Sequence, residues 1–214
     1  MRIIIVGDSL TLPRPKRIAE FDYRITEPLA VGFDDTYGAL LQRSLLETHS
    51  DIHPLVINRG QRAFTIKDVF NQSNDHLFFM DPDVVILHVG IVDCWIRDSE
   101  GKQFVALDEF KVFTNEFIDR LLTKPTCKLI IIGIAPTSVK MEERTPEINQ
   151  QIGLYNRVFW QRVDYERIFF IDLESRINPY NAHEYLLPDD HHINVDGNRL
   201  LFEQIAPLIL SFID

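Results

Sequence analysis

Five short runs of consecutive apolar residues, distributed along the chain, constrain its fold more than any other feature. A strand with one face in water alternates apolar and polar residues, whereas these runs are continuous. Each run therefore predicts a strand that is covered on both faces. The runs are residues 3–6, 55–57, 84–89, 129–134 and 168–171.

Between these runs, apolar residues recur at the three- and four-residue spacing of an amphipathic helix. Phe110, Phe113, Phe117 and Leu121 form one such stripe. Strands that alternate with helices of this length predict an α/β architecture with a mostly parallel sheet. At 214 residues, we expect a single domain over residues 1–214. The predicted helices lie near residues 34–49, 108–123, 145–165 and 195–212.

Composition excludes several classes of protein. The net charge of −10 argues against a nucleic-acid partner, which normally meets a basic face. Only four apolar residues precede Gly7, too few for a secretory signal, and no apolar run is long enough to span a membrane. Cys94 and Cys127 then indicate reduced thiols in a reducing compartment. We expect a soluble, cytoplasmic protein without a cofactor.

One local stretch departs from the acidic balance. Residues 13–24 carry Arg14, Lys16, Arg17 and Arg24 against two acidic residues. The stretch is either a solvated loop or a patch that attracts an anionic substrate or acyl donor.

Three of the predicted strands end in polar turns that contain glycine. Ser9 follows the first strand, Gly60 the second, and Gly90 and Asp93 the third. The carboxyl ends of parallel strands meet at one edge of a sheet, where ligands of α/β proteins bind. The coincidence of the three turns predicts a functional site at that edge.

A base and an acid stand near the end of the chain. Asp189 lies three residues before His192, just ahead of the last predicted helix. A carboxylate at this spacing can accept a hydrogen bond from Nδ1 of the imidazole, which then activates a serine. The run Asp189 to His192 could instead form a helix N-cap region, or its two aspartates and two histidines could bind a metal. No third ligand cluster stands out, so we predict no metal.

Four blocks together resemble the SGNH, or GDSL, hydrolase superfamily, and their order spans nearly the whole chain. The resemblance implies a three-layer α/β/α sandwich with a central, mostly parallel sheet of about five strands, a flavodoxin-like SGNH hydrolase fold. The blocks are Gly7-Asp8-Ser9-Leu10, Asn58-Arg59-Gly60, Gly90-Ile91-Val92-Asp93 and Asp189-Asp190-His191-His192.

The resemblance also implies roles for individual residues. Ser9 matches the nucleophile, and its backbone N–H matches one donor to the oxyanion. Gly60 matches the glycine whose N–H is the second donor. His192 matches the general base and Asp189 its orienting partner, whereas Asp8 matches a residue that supports the turn.

One block departs from the superfamily pattern, and the departure indicates a variant branch. The superfamily has Gly-x-Asn-Asp, whose asparagine donates to the oxyanion, and this chain has Val92 at that position. Loss of one such donor typically costs about 2.7–4 kcal/mol of transition-state stabilisation. Arg59 and Arg97 are candidates to replace it, and Asn58 and Gly90 complete the set of residues expected to bind substrate.

The sequence therefore favours a serine esterase that removes a short acyl group from a carbohydrate or related ester. An O-acyltransferase that passes the acyl group to a sugar hydroxyl is the first alternative, and Val92 favours it. A non-catalytic binding protein with a degenerate site is the second. The sequence leaves the oligomeric state open.

Overall fold

The five apolar runs form one parallel sheet. A computed structural model describes residues 1–14, 30–97 and 100–213. The side chains of residues 3–6 are at most 1% exposed, and successive side chains of a strand point to opposite faces. Both faces of the sheet are therefore covered, as the continuous runs predicted. The strands are β1 (Arg2–Gly7), β2 (Leu55–Asn58), β3 (Val84–His88), β6 (Lys128–Ile132) and β7 (Ile168–Ile171), in the order β2-β1-β3-β6-β7.

Helices cover the sheet in two groups. They are α1 (Tyr37–Thr48), α2 (Ile66–Asn71), α3 (Ile91–Cys94), α4 (Leu107–Leu122), α5 (Val139–Arg144), α6 (Ile148–Trp160), α7 (Ala182–Tyr185) and α8 (Val195–Leu210). Helix α1 packs against α8, while α4 packs against both α2 and α6. The predicted α/β/α sandwich is confirmed, and each of the four predicted helices overlaps an observed one.

The sequence patterns missed the shortest elements. An antiparallel pair, β4 (Ile96–Arg97) and β5 (Lys102–Gln103), follows α3, and a turn of π-helix spans Asn74–Phe79. Strands of two residues and helices of four carry too few residues to establish a period. The antiparallel pair leads into Phe104, whose N–H donates to the Trp95 carbonyl at 2.9 Å.

The strand order places a crevice beside β1. From β1 the chain passes to β2 on one side of the sheet, and β3 lies on the other. Such a reversal opens a crevice at the carboxyl ends of the two central strands. Gly7 ends β1 there, and a Cβ on Gly7 would lie 1.8 Å from the carbonyl oxygen of His88. Only glycine allows β1 and β3 to approach so closely where the chain turns.

Several expectations concern parts of the chain away from this crevice. Most of the basic stretch 13–24 lies outside the described residues. No helix in the described ranges has the length and apolarity to span a membrane. Cys94 and Cys127 are both buried free thiols.

Candidate active site

Ser9 stands at the start of a tight turn directly after β1. Residues Ser9–Thr11 form one turn of 3₁₀-helix, and the Asp8 carboxylate caps it by accepting the Leu10 N–H at 2.8 Å. Ser9 is half-buried, so its hydroxyl is held at the crevice rather than in the core. The turn fixes the direction of the serine because Asp8 and Leu10 are both buried.

Asp189 and His192 are locked into one turn by three hydrogen bonds. Oδ1 of Asp189 accepts the backbone N–H of His191 at 3.2 Å and that of His192 at 2.9 Å. Oδ2 of Asp189 lies 2.8 Å from Nδ1 of His192. The turn is closed by Leu187, whose N–H donates to the His192 carbonyl at 2.7 Å. The carboxylate therefore controls both the position of the histidine and its tautomer.

The same histidine reaches the serine across 183 residues of sequence. Nε2 of His192 lies 2.9 Å from Oγ of Ser9, and the Asp189 and His192 side chains are almost completely buried. Burial alone would raise the pKa of Asp189, but the hydrogen bond from His192 and the nearby imidazole of His191 hold it at about 2. Asp189 is thus a carboxylate at neutral pH, able to hold a proton on Nδ1.

An ion pair fixes the turn from outside. Nη2 of Arg144, the last residue of α5, lies 2.6 Å from Oδ2 of Asp190. Asp190 has a left-handed backbone with φ of 68°, a conformation that an aspartate adopts more readily than most residues. The two neighbouring aspartates therefore have different roles. Asp189 holds His192, and Asp190 anchors the turn to α5.

The predicted oxyanion glycine lies beside the serine turn with its N–H already engaged. Gly60 donates that N–H to Oδ1 of Asn58 at 2.9 Å. Asn58 also donates from Nδ2 to the carbonyl of Thr11, which ties the β2 turn to the serine turn. A Cβ on Gly60 would lie 1.8 Å from Oγ1 of Thr11, so this contact requires glycine. Asn58 therefore holds the β2 turn and the serine turn together.

The other predicted substrate-binding residues have different surroundings. Arg59 is exposed, and its backbone N–H donates to the Ile5 carbonyl at 2.8 Å. Gly90 is buried at the N-terminus of α3. Arg97 lies in β4, and its side chain is outside the described part of the structure.

Val92 occupies the position of the superfamily asparagine and lines a small cavity next to Ser9. The cavity has a volume of about 170 Å³. Apart from the serine, its walls are apolar or aromatic: Ile91, Val92, Trp95, Phe104 and His191. Where the superfamily has an asparagine that donates to the oxyanion, this chain therefore has an apolar side chain that lines the cavity.

Two carboxyl groups are buried near the crevice, one in the serine turn and one in α3. Burial raises the pKa of Asp8 to about 7 and that of Asp93 to about 8. Oδ1 of Asp93 accepts the N–H of Ile66 at 2.9 Å, which joins α3 to the start of α2. Oδ2 of each residue has no hydrogen-bond partner in the described ranges. Both groups are therefore poorly suited to carry charge.

His88 in β3 departs from a general rule, because buried polar groups are normally hydrogen-bonded. His88 is completely buried, but neither ring nitrogen has a hydrogen-bond partner among the residues described. Burial lowers its pKa to about 3. It is a neutral imidazole packed against the Tyr37 ring, with the two centroids 5.8 Å apart.

These buried groups predict that the protein loses stability above pH 6.5. Below that pH two effects oppose each other, because the unfolded chain binds more protons at His88 and His76, whereas the folded chain binds more protons at Asp8 and Asp93. Above pH 6.5 the histidines no longer contribute, but the folded chain still binds more protons at Asp8 until about pH 7 and at Asp93 until about pH 8, so stability falls over this range. We expect a loss of about 1 kcal/mol between pH 7 and 8, measured by urea unfolding.

The control for this prediction is Asp93→Asn, which keeps the shape of the side chain and removes the proton. Its stability should change less than that of the wild type between pH 7 and 8, because one of the two carboxyl groups is gone. A wild-type stability that stays constant or increases over this interval would contradict the assignment.

The structure also reveals site residues that the sequence did not single out. The His191 ring packs against the Trp95 ring in a tilted arrangement, with centroids 5.2 Å apart. Its Nδ1 lies 2.9 Å from the carbonyl oxygen of Asp189. Trp95 and Phe104 belong to segments with no recognisable period, so no pattern identified them. Ligand atoms of Asp189, His191 and His192 lie within 4.8 Å of one another, the arrangement that a metal ion would need.

The fold and this site define a hydrolase of the SGNH type. Residues 5–200 match the model of the GDSL-like Lipase/Acylhydrolase family. The chain therefore belongs to this family and is a carboxylic ester hydrolase. The resemblance carried by the four sequence blocks is confirmed.

Individual relatives add detail about known members. The chain is 25% identical over 209 residues to an acetylxylan esterase from Geobacillus stearothermophilus, covering 94% of this chain and 90% of that enzyme. The crystal structure of the acetyl xylan esterase AlAXEase is similar with a TM-score of 0.73 and 22% identity, covering 98% of this chain and 100% of that one.

Structures of Axe2, an acetylxylan esterase from Geobacillus stearothermophilus, are also similar to this chain. One is a catalytic mutant in which a serine is replaced by alanine, with a TM-score of 0.70, 22% identity and coverage of 99% of this chain and 93% of that one. Two further catalytic mutants of Axe2 replace an aspartate and a histidine.

Proposed function

We propose that this chain is a serine esterase that removes a short acyl group, such as acetyl, from a carbohydrate. The observation that carries the proposal is the continuous chain of hydrogen bonds from Asp189 through His192 to Ser9, at 2.8 and 2.9 Å. These distances are those of a nucleophile, a base and an orienting acid. Ser9, at the end of these hydrogen bonds, lines a cavity large enough for a small acyl group.

The reaction begins when Oγ of Ser9 attacks the ester carbonyl and Nε2 of His192 takes its proton. The Asp189 carboxylate stabilises the imidazolium that forms. The tetrahedral intermediate collapses, and His192 returns the proton to the leaving sugar hydroxyl. A water molecule then attacks the acyl-serine ester, again through His192, and releases the acid with free Ser9.

The oxyanion needs donors, and the site offers fewer than the superfamily pattern. The Ser9 N–H makes no hydrogen bond to another described residue, so it is free to donate. To act as the second donor, the Gly60 N–H must release its hydrogen bond to Oδ1 of Asn58. Val92 supplies none, a loss that typically costs about 2.7–4 kcal/mol. We therefore expect a slower enzyme than one with the asparagine.

The cavity beside Ser9 supports a short acyl group. Its volume is about 170 Å³, which accommodates a group as small as acetyl. The apolar walls contributed by Ile91, Val92 and Phe104 suit an alkyl group and offer nothing to a charged one.

The carbohydrate part of the proposal is supported by the relatives. Acetylxylan esterases match this chain over nearly its full length. The catalytic residues replaced in the Axe2 mutants are a serine, an aspartate and a histidine, the same residue types that meet here. The intact hydrogen-bond chain argues against a binding protein with a degenerate site.

An O-acyltransferase is the second candidate. It would use the same acyl-serine intermediate but pass the acyl group to a sugar hydroxyl instead of water. The observation that favours it is Val92, where this chain departs from the Gly-x-Asn-Asp pattern of the hydrolases.

One assay separates the two functions. Acetylated xylo-oligosaccharides are incubated with the purified protein, with and without an unacetylated oligosaccharide as acceptor, and the products are followed by mass spectrometry. An esterase releases acetate at the same rate in both samples. A transferase produces newly acetylated acceptor faster than it releases acetate. No turnover of acetyl esters under either condition would contradict both proposals.

A further inference from the structure

The two adjacent histidines at the site have an unusual common feature. Asp189 engages Nδ1 of both rings, that of His192 through its carboxylate at 2.8 Å and that of His191 through its backbone carbonyl at 2.9 Å. Nδ1 of His191 also lies 3.7 Å from Oδ1 of Asp189, so one carboxylate and two ring nitrogens face one another. The ring centroids of the pair are 4.3 Å apart.

Ligand atoms converge on the same place. Asp189, His191 and His192 each offer one, and these atoms lie within 4.8 Å of one another. Zinc binds histidine nitrogen at about 2.0–2.1 Å and carboxylate oxygen at about 2.0–2.2 Å, so an ion between these atoms would replace the Nδ1 proton of His192 that Asp189 now accepts. The set of two imidazoles and one carboxylate suits Zn²⁺ and Cu²⁺ better than Mg²⁺ or Ca²⁺.

An ion can reach the group from solvent. The His191 side chain is 23% exposed and lines the cavity that contains Ser9, whereas the Asp189 and His192 side chains are only 5% and 9% exposed. The neighbouring acid, Asp190, is neutralised by Arg144 and does not compete for the ion. His191 is thus the accessible member of the group.

We propose that Asp189, His191 and His192 form an inhibitory site for a divalent transition metal, with Zn²⁺ as the reference ion. An ion held by His192 removes the base that activates Ser9 and displaces Asp189 from its orienting role. The ion therefore switches the esterase off reversibly. The inhibition rests on the proposed function, but the binding of the ion does not.

The binding is tested by isothermal titration calorimetry of the wild-type protein with zinc chloride, which requires no activity. We expect one ion per chain, with affinity reduced about tenfold or more in His191→Gln. The matched control is His183→Gln, which removes an exposed histidine of α7 and should leave the affinity unchanged. Circular dichroism melting curves establish that each variant is folded.

The inhibition is tested separately with an acetyl ester, each protein being compared with its own metal-free activity. Zinc should inhibit the wild type and His183→Gln at the same concentration, a chelator should restore both, and His191→Gln should need about tenfold more zinc. Equal zinc affinity in His191→Gln and the wild type, or no binding at all, would overturn the metal site. A protein that binds zinc through His191 but cleaves no ester would instead overturn the proposed function.

Discussion

Replacement of Ser9 by alanine is expected to abolish ester cleavage, with a loss of about 10⁶-fold in kcat. The reason is that the acyl-enzyme cannot form without Oγ, which lies 2.9 Å from the base, His192. Removing the whole nucleophile removes the mechanism rather than one stabilising interaction. The measurement is the rate of acetate release from a saturating acetyl ester, made on protein purified from a host that lacks background esterase.

The control for this prediction is Ser50→Ala, an exposed serine outside the site, which should keep full activity. Melting curves of the two variants should be similar, because Ser9 is only half-buried and the Asp8 cap of its turn remains. Retention of more than a small fraction of activity in Ser9→Ala would show that another group is the nucleophile.

Replacement of Asp189 by asparagine should reduce kcat by about 10⁴-fold, although the side chain keeps its shape. Oδ1 of Asp189 accepts two backbone N–H groups, so the amide oxygen of asparagine must take that position. The amide NH₂ then faces Nδ1 of His192, which becomes an acceptor. The proton moves to Nε2, where the histidine can no longer accept the proton of Ser9.

The matched control is Asp190→Asn in the neighbouring residue. Asp190 pairs with Arg144 on the outer side of the turn and does not contact His192, so its loss should cost less than about tenfold in kcat. Similar losses in the two variants would show that the turn, rather than the tautomer of His192, limits the reaction.

Much of the fold could be predicted from the sequence because it depends on local periodicity. Continuous apolar runs of strand length, such as residues 84–89, favour strands covered on both faces, and the helical stripe around Phe117 spans several turns. The pair β4–β5 could not be found, because two-residue strands are set by tertiary contacts rather than by a pattern.

Some residues of the site could likewise be proposed from the sequence, and others could not. Ser9, Asp189 and His192 could be proposed because strand ends and an i, i+3 spacing are readable in sequence. The hydrogen bond between Asn58 and Gly60 could not, since it depends on how the β2 turn packs against Thr11. Nor does any pattern place Phe104 beside Val92, because the cavity forms only when the segments after β3 fold over the serine.

The most direct test of the central claim is labelling with a fluorophosphonate, followed by intact-mass measurement of the wild type, Ser9→Ala and His192→Ala. The reagent reacts only with a serine that a base has activated. We predict one adduct on the wild type, located at Ser9, and none on either variant under the same conditions. An unlabelled but folded wild type, or an adduct that survives in Ser9→Ala, would contradict the assignment of Ser9 as the nucleophile.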